Sequence, residues 1–92
     1  MTFTYDDYGD TVLYDVFYEA GTYYGGVLAA LEDEAKARGA HERAREIFER
    51  HLALNRERAS INPDDREALI ACTEKRHKLA NECKERAIKQ SA

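Results

Sequence analysis

Two cysteines and three histidines are the groups in this 92-residue chain with the most specific chemistry available to them. Cys72 and Cys83 stand eleven residues apart in a segment with helical spacing. On one helix they share a face but lie roughly 16 Å apart along the axis. That is too far for one disulfide or one metal ion. Both fall on an apolar stripe, where a free cysteine acts as a small hydrophobe. His41, His51 and His77 have no His, Cys or acid partner at a zinc-ligand spacing, and a metal site needs three or four convergent ligands. His51 sits on an apolar stripe and reads as a half-buried core histidine. No metal and no cofactor is expected.

The carboxylates support no catalytic reading either. Asp6, Asp7 and Asp10 have the charge of a calcium loop but neither the spacing nor the glycine of an EF-hand. Glu32-Asp33-Glu34 reads as a solvated helix turn. The sequence contains no phosphate-binding glycine loop, no G-x-S-x-G and no nucleophile with a local base. A small helical chain rarely encloses a pocket, and function must be argued from a site. The expectation is therefore a protein that is not an enzyme, with no catalytic residues.

What remains is a cluster of tyrosines and acids. All six tyrosines (Tyr5, Tyr8, Tyr14, Tyr18, Tyr23 and Tyr24) lie in the first 24 residues. Eight acids and no Lys or Arg fall in residues 1–35, whereas the other ten acids and all fourteen bases follow. The net charge of −4 thus hides an acidic first third and a basic remainder. An acidic segment repels phosphates, so no direct nucleic-acid contact is expected there. Arg38, Arg43, Arg45, Arg50, Arg56 and Arg58, with Lys75, Arg76 and Lys78 further on, are interleaved with Glu42, Glu46, Glu49 and Glu57. They read as a salt-bridged outer face.

The elements that must position these groups are mostly helical. Asn62-Pro63-Asp64-Asp65 is a helix start: Asn62 caps, Pro63 takes the first helical position, and the acids complement the dipole. Behind it Leu69, Cys72, Leu79, Cys83 and Ala87 recur at helical spacing, flanked by Ala68, Ala80 and Ile88. Glu74, Lys78, Glu82 and Arg86 alternate in sign four apart, as on a solvated face. In the middle segment Ala44, Ile47, Phe48, His51, Leu52, Leu54 and Ala59 form a broad apolar stripe. Glu46–Arg50 and Arg45–Glu49 pair four apart outside it. Gly39 stops the preceding helix, and the short Ser60-Ile61-Asn62 connection predicts an antiparallel hairpin of the second and third helices.

Residues 10–28 admit two readings. T-V-L-Y-D-V-F-Y is rich in β-branched and aromatic residues, and Asp7-Tyr8-Gly9-Asp10 would turn a β-hairpin back onto Thr2–Tyr5. Against this, Leu13, Phe17, Ala20, Tyr24, Val27, Leu31 and Ala35 step by threes and fours into the plainly helical L-A-A-L-E-D-E-A-K-A-R. The helix is the preferred reading, and an N-terminal hairpin in an α+β fold is the alternative. Gly21 and Gly25 cost roughly 0.8–1 kcal/mol each in a helix. With Ala29 they make a row of small residues that a neighbouring backbone can approach. The expected fold is all-α, a three-helix bundle with helices at about 11–38, 40–60 and 63–89. Residues 1–9 are expected to be a flexible extension.

One 92-residue domain has a thin stability margin, and a partner helps to cover residual apolar area. Tyr5, Asp6, Asp7, Tyr8, Asp10, Tyr14, Asp15, Tyr18 and Glu19 are the expected partner-binding face. Tyrosine is an enriched interface anchor, and the acids suit a partner rich in Arg and Lys. Leu13, Phe17, Gly21, Gly25 and Ala29 are the expected helix-packing or dimer row. The reading that follows is a small inhibitor or adaptor docking on a basic protein surface, such as that of a nucleic-acid-binding complex. Phage and mobile-element antagonists of restriction or CRISPR systems work in this way, and the comparison is one of class. The alternatives are a homodimeric helical scaffold protein and an antitoxin-like partner. No run approaches the ~20 apolar residues of a membrane span and no secretory signal is visible. A cytoplasmic protein is expected, in host cytoplasm if phage-encoded.

Overall fold

The structure, a computed structural model, describes residues 8–91, with side chains through residue 86. Three helices follow in order: α1 (Asp10–Ala37), α2 (His41–Ser60) and α3 (Arg66–Ser91). The fold is all-α, and no strand occurs among the described residues. The β-hairpin alternative is overturned where it can be read. Tyr8 onward leads directly into α1, and Leu13 N–H donates to the Gly9 carbonyl at 2.9 Å. The helical phase of the apolar residues outweighs the β propensity of T-V-L-Y-D-V-F-Y. The partner strand Thr2–Tyr5, and most of the expected extension 1–9, lie outside the described residues.

The helix ends follow from local chemistry. Gly39 adopts φ +75°, the left-handed conformation that favours glycine. Around it, Ala40 N–H donates to Ala35 O at 2.8 Å and Gly39 N–H to Lys36 O at 3.0 Å, a Schellman ending that satisfies two otherwise orphaned carbonyls. The third helix starts later than expected. Asn62 Oδ1 accepts from Asp64 N–H at 2.9 Å, closing an Asx-turn with Pro63 inside it. Asp65 then caps the helix by accepting from Ala68 N–H at 3.1 Å. The N-P-D-D motif is a turn followed by a cap, so helix begins at Arg66 rather than Pro63.

α1 is the hub. It packs along both α2 and α3. The contact partners give the directions. Gly21 faces Arg58 and Gly25 faces His51 and Leu54, so α2 runs antiparallel to α1. Asp10 meets Arg66 and Phe17 meets Arg76, so α3 runs parallel to it. The expected hairpin of α2 and α3 is antiparallel, but their backbones stay apart, and side chains such as Lys75 and Glu57 bridge them. Both helices lay their apolar stripes on α1, which carries the longest one. The molecule is a slab of 45 × 32 × 14 Å.

The core is in two parts. Leu13, Phe17 and Leu69 form one cluster. Tyr24, Leu28, Ala35, Ala44, Ile47, Leu54, Ala80 and Cys83 form the other. Each large apolar side chain taken out of water contributes about 1.5–3 kcal/mol. Between the clusters, at Gly21, sit the guanidinium groups of Arg58 and Arg76. The stripe expected on α2 is narrower than its sequence suggests: Ala44, Ile47 and Leu54 are buried, His51 and Leu52 half-buried, and Phe48 and Ala59 exposed. The ion pairs also differ from the expected ones. Glu32–Lys36 and Arg43–Glu46 pair along their helices, while Asp10–Arg66 and the Glu57 pairs cross between helices.

The Gly21/Gly25/Ala29 row is used within the chain, by α2. A Cβ on Gly25 would lie 3.4 Å from His51 Nε2, an ordinary contact, and one on Gly26 would meet nothing. A Cβ on Gly21 would lie 2.7 Å from an Arg58 nitrogen and 2.9 Å from one of Arg76. Gly26→Ala should therefore stabilise the chain by about 0.8 kcal/mol through helix propensity alone. Gly21→Ala should destabilise it by about 1 kcal/mol, because the crowding outweighs the same gain. Urea unfolding of the two variants should move in opposite directions. Equal stabilisation by both would mean that the arginines move aside at no cost.

Candidate functional site

The expected tyrosine and acid face divides in three. Tyr5, Asp6 and Asp7 lie outside the described residues. Tyr8 and Asp10 are drawn to the start of α3, where Arg66 donates to Asp10 Oδ1 at 2.6 Å and to the Tyr8 carbonyl at 3.0 Å. Tyr14 is half-buried, with its ring centroid 5.8 Å from that of Phe17 and 6.4 Å from that of Tyr18. Asp15 and Glu19 are exposed on the outward side of α1, and Tyr18 is exposed at its edge, beside Arg58 of α2. Leu13 and Phe17 are fully buried and belong to the core.

Sequence reasoning left Val12 and Tyr23 off this outward face. At helical spacing Val12, Asp15, Glu19 and Tyr23 form one strip, with Tyr18 at its edge. Val12, Tyr18 and Tyr23 are three of the four exposed large hydrophobic residues among those described, the fourth being Phe48. Each tyrosine is held by a cation from a flanking helix. The Arg58 guanidinium lies 4.3 Å from the Tyr18 ring centroid and the Lys84 ammonium 4.7 Å from that of Tyr23. His77 also lies beside Tyr23, with 6.3 Å between ring centroids. Asp15 and Glu19 sit between these two pairs and make no ion pair among the described residues. The strip is acidic at its centre and bounded by a cation on either side.

A second arrangement lies behind α1's buried face. Arg76 is fully buried. Its guanidinium stacks 4.2 Å from the Phe17 ring centroid, donates to the Phe17 carbonyl at 3.2 Å, and reaches Glu57 Oε1 at 3.4 Å. Glu57 also accepts from Lys75 at 2.6 Å. Burial pulls Arg76 down from the ordinary arginine value, and the Glu57 charge opposes that pull. Burial alone would raise the Glu57 carboxyl, but the hydrogen bond and charge of Lys75, with the charge of Arg76, hold it below the ordinary 4.5. The nearby Cys72 thiol is pushed up by burial and then by Glu57, which keeps it protonated and weakly nucleophilic. The Nε atoms of Arg58 and Arg76 are buried without a hydrogen-bond partner among the described residues.

The Glu57 shift has a consequence for stability. A carboxyl held lower in the folded state than in the unfolded one stabilises the fold above its unfolded value. That contribution is lost as pH falls through the folded value. Between about pH 5 and pH 3 the denaturation midpoint should fall, and more steeply in the parent chain than in Glu57→Gln. Identical slopes for the two proteins would remove Glu57 from the account of acid sensitivity.

Above this centre, α2 and α3 diverge and leave a groove of about 410 Å³. Tyr24, Leu54, Leu79 and Cys83 line it, with Arg50, Lys75 and Arg86 among its polar lining residues. Burial, and then Cys83, push the Tyr24 phenol up, so its hydroxyl stays protonated. Among the described residues no group of three or more His, Cys, Asp or Glu is placed to hold a metal ion. Among them also, no helix is long and apolar enough to cross a membrane. Comparison of the chain with protein-family models, with curated proteins and with solved structures gives no match.

Proposed function

We propose that this chain is a non-enzymatic protein-binding module that docks the outward strip of α1 on a basic surface of another protein. The observation that carries this reading is the placement of Val12, Tyr18 and Tyr23, exposed on the same helix face as the unpaired Asp15 and Glu19. Tyrosines supply area at low rotamer cost. Their flanking cations restrict the rings before binding, which lowers the entropy lost on docking. The carboxylates then select Arg and Lys on the partner. Because Arg58 and Lys84 bound the strip, it suits a narrow basic ridge rather than a broad basic plane. Such ridges line nucleic-acid grooves, and an antagonist that occludes one, in the manner of small phage-encoded anti-defence proteins, is the function we infer.

The test is the double variant Asp15→Lys/Glu19→Lys, compared with the parent chain against a captured partner by biolayer interferometry. Each desolvated carboxylate should contribute roughly 2 kcal/mol, so each reversal should weaken binding about thirtyfold or more. Circular dichroism should be unchanged, and competing DNA should displace the parent chain. Unchanged affinity in the double variant would sink the proposal. Binding that resists DNA would place the partner's site outside its nucleic-acid groove, as for an antitoxin-like or adaptor role. A concentration-dependent dimer in sedimentation, dispersed by the same double variant, would move the strip to self-association.

A further inference from the structure

We propose that the groove between α2 and α3 is a binding site for a small amphiphilic anion, with a carboxylate head and a medium-length apolar body. This site is separate from the α1 strip, which lies on the opposite side of that helix.

The size and lining suit a small molecule. A volume of about 410 Å³ lies within the roughly 300–1,000 Å³ range of ligand pockets. The groove is lined more by carbon than by polar atoms. Tyr24, Leu54 and Cys83 are buried and Leu79 half-buried. The stems of long cationic side chains extend such surfaces while their heads stay in water.

The charge selects the head group. Four cations line the groove, Arg50, Lys75, Arg76 and Arg86, against two carboxylates, Glu57 and Glu82. Lys75 and Arg76 already share Glu57. Arg50 and Arg86 make no ion pair among the described residues. Glu82, one turn before Arg86 on α3, leaves that end with one net positive charge, carried by two arginines outside any ion pair, and these would receive a carboxylate. At the other end Arg76, fully buried, keeps its Nε without an acceptor. Its guanidinium is already stacked on Phe17 and bonded to Glu57, so the head group falls to Arg50 and Arg86. The Tyr24 hydroxyl, protonated at neutral pH, is a further donor on the groove floor. An uncharged apolar body would leave the rim cations unused, and a cationic one would be repelled by them.

The probes are decanoate, butyrate and decyltrimethylammonium, titrated into the isotopically labelled full chain below their micellar concentrations and followed by amide chemical shifts. Decanoate should bind with a Kd of about 1 mM or tighter, and the largest shifts should fall at Tyr24, Leu79 and Cys83. Butyrate and decyltrimethylammonium should bind at least about tenfold more weakly. Ala53→Phe adds a ring at an exposed position on the groove wall, so it should fold normally and weaken decanoate binding about tenfold or more. Arg50→Glu/Arg86→Glu should do the same and leave the apolar floor intact. Equal binding of decanoate and decyltrimethylammonium would overturn the proposal, as would decanoate binding unaffected by Ala53→Phe. So would the absence of any decanoate-induced shift at the groove. Asp15→Lys/Glu19→Lys should leave decanoate binding unchanged, so failure of this proposal is distinguishable from failure of the docking strip.

Discussion

Arg76→Ala is expected to destabilise the chain by about 3 kcal/mol, and Arg76→Met by less than about 1 kcal/mol. Truncation to alanine removes most of a fully buried side chain between two apolar clusters. The Phe17 ring loses its stacking partner and a cavity is left behind. Methionine keeps most of the volume and its adaptability. It also removes a buried charge and an Nε donor that has no acceptor. Glu57 is not stranded in either variant, because Lys75 still pairs with it at 2.6 Å. Glu57→Ala is the asymmetric case, since it takes from Arg76 the carboxylate that offsets its burial. Urea unfolding of the alanine and methionine variants decides the matter. Equal losses would mean that the charge of Arg76, rather than its volume, holds the centre together.

Phe17→Ala is expected to cost about 3–5 kcal/mol, against a total stability near the low end of the usual 5–15 kcal/mol for so short a chain. Its ring is completely buried. It packs with Leu13 and Leu69 in the smaller cluster, and it carries the Arg76 guanidinium on its face. Losing it opens the cluster that joins the first turns of α1 and α3. The variant should be substantially unfolded at 37 °C by circular dichroism. Phe17→Leu, which keeps an apolar side chain without the π face, should lose about 1–1.5 kcal/mol. Combined with Arg76→Met, Phe17→Leu should cost less than the sum, because the stacking contact is already gone. A thermal midpoint for Phe17→Ala within a few degrees of the parent would contradict this account of the core.

The helices were legible because the apolar phase persists along each, and in α1 it outweighs the β propensity of T-V-L-Y-D-V-F-Y and the cost of Gly21 and Gly25. In α1 the step from Leu13 through Phe17, Ala20 and Tyr24 keeps one phase, and the same residues are buried. Gly39 ends that helix by the mechanism its identity suggests. The polar centre was not legible, although its phase was present. Leu69, Thr73, Arg76, Ala80 and Cys83 step by four, three, four and three, and all five are buried. A reading that assigns faces by residue type places Arg76 with Lys75 and Lys78 on the outside, because arginine is rarely fully buried. Spacing alone would have placed it inside, opposite Gly21, whose missing side chain makes room for it. The outward strip was half legible. Asp15, Tyr18 and Glu19 are outward as expected, but Tyr8, Asp10 and Tyr14 are engaged by α3 and the core. Which tyrosines the core claims depends on where α3 starts, and that is a tertiary fact.

The hub position of α1 also sets an order of assembly. α1 and α2 are joined by three residues and meet along an antiparallel seam, so their contacts close small loops. α3 meets α1 through residues 56 to 59 positions away, as in the Asp10–Arg66 and Phe17–Arg76 contacts. Closing the longer loops costs more chain entropy before any contact is gained. Loop-closure entropy therefore favours the first two helices as a platform presenting Glu57 and Arg58, to which the third brings Arg76 and Lys75. The polar centre and the groove come into being in that last docking step. Both are properties of the completed chain, and neither exists in the platform alone.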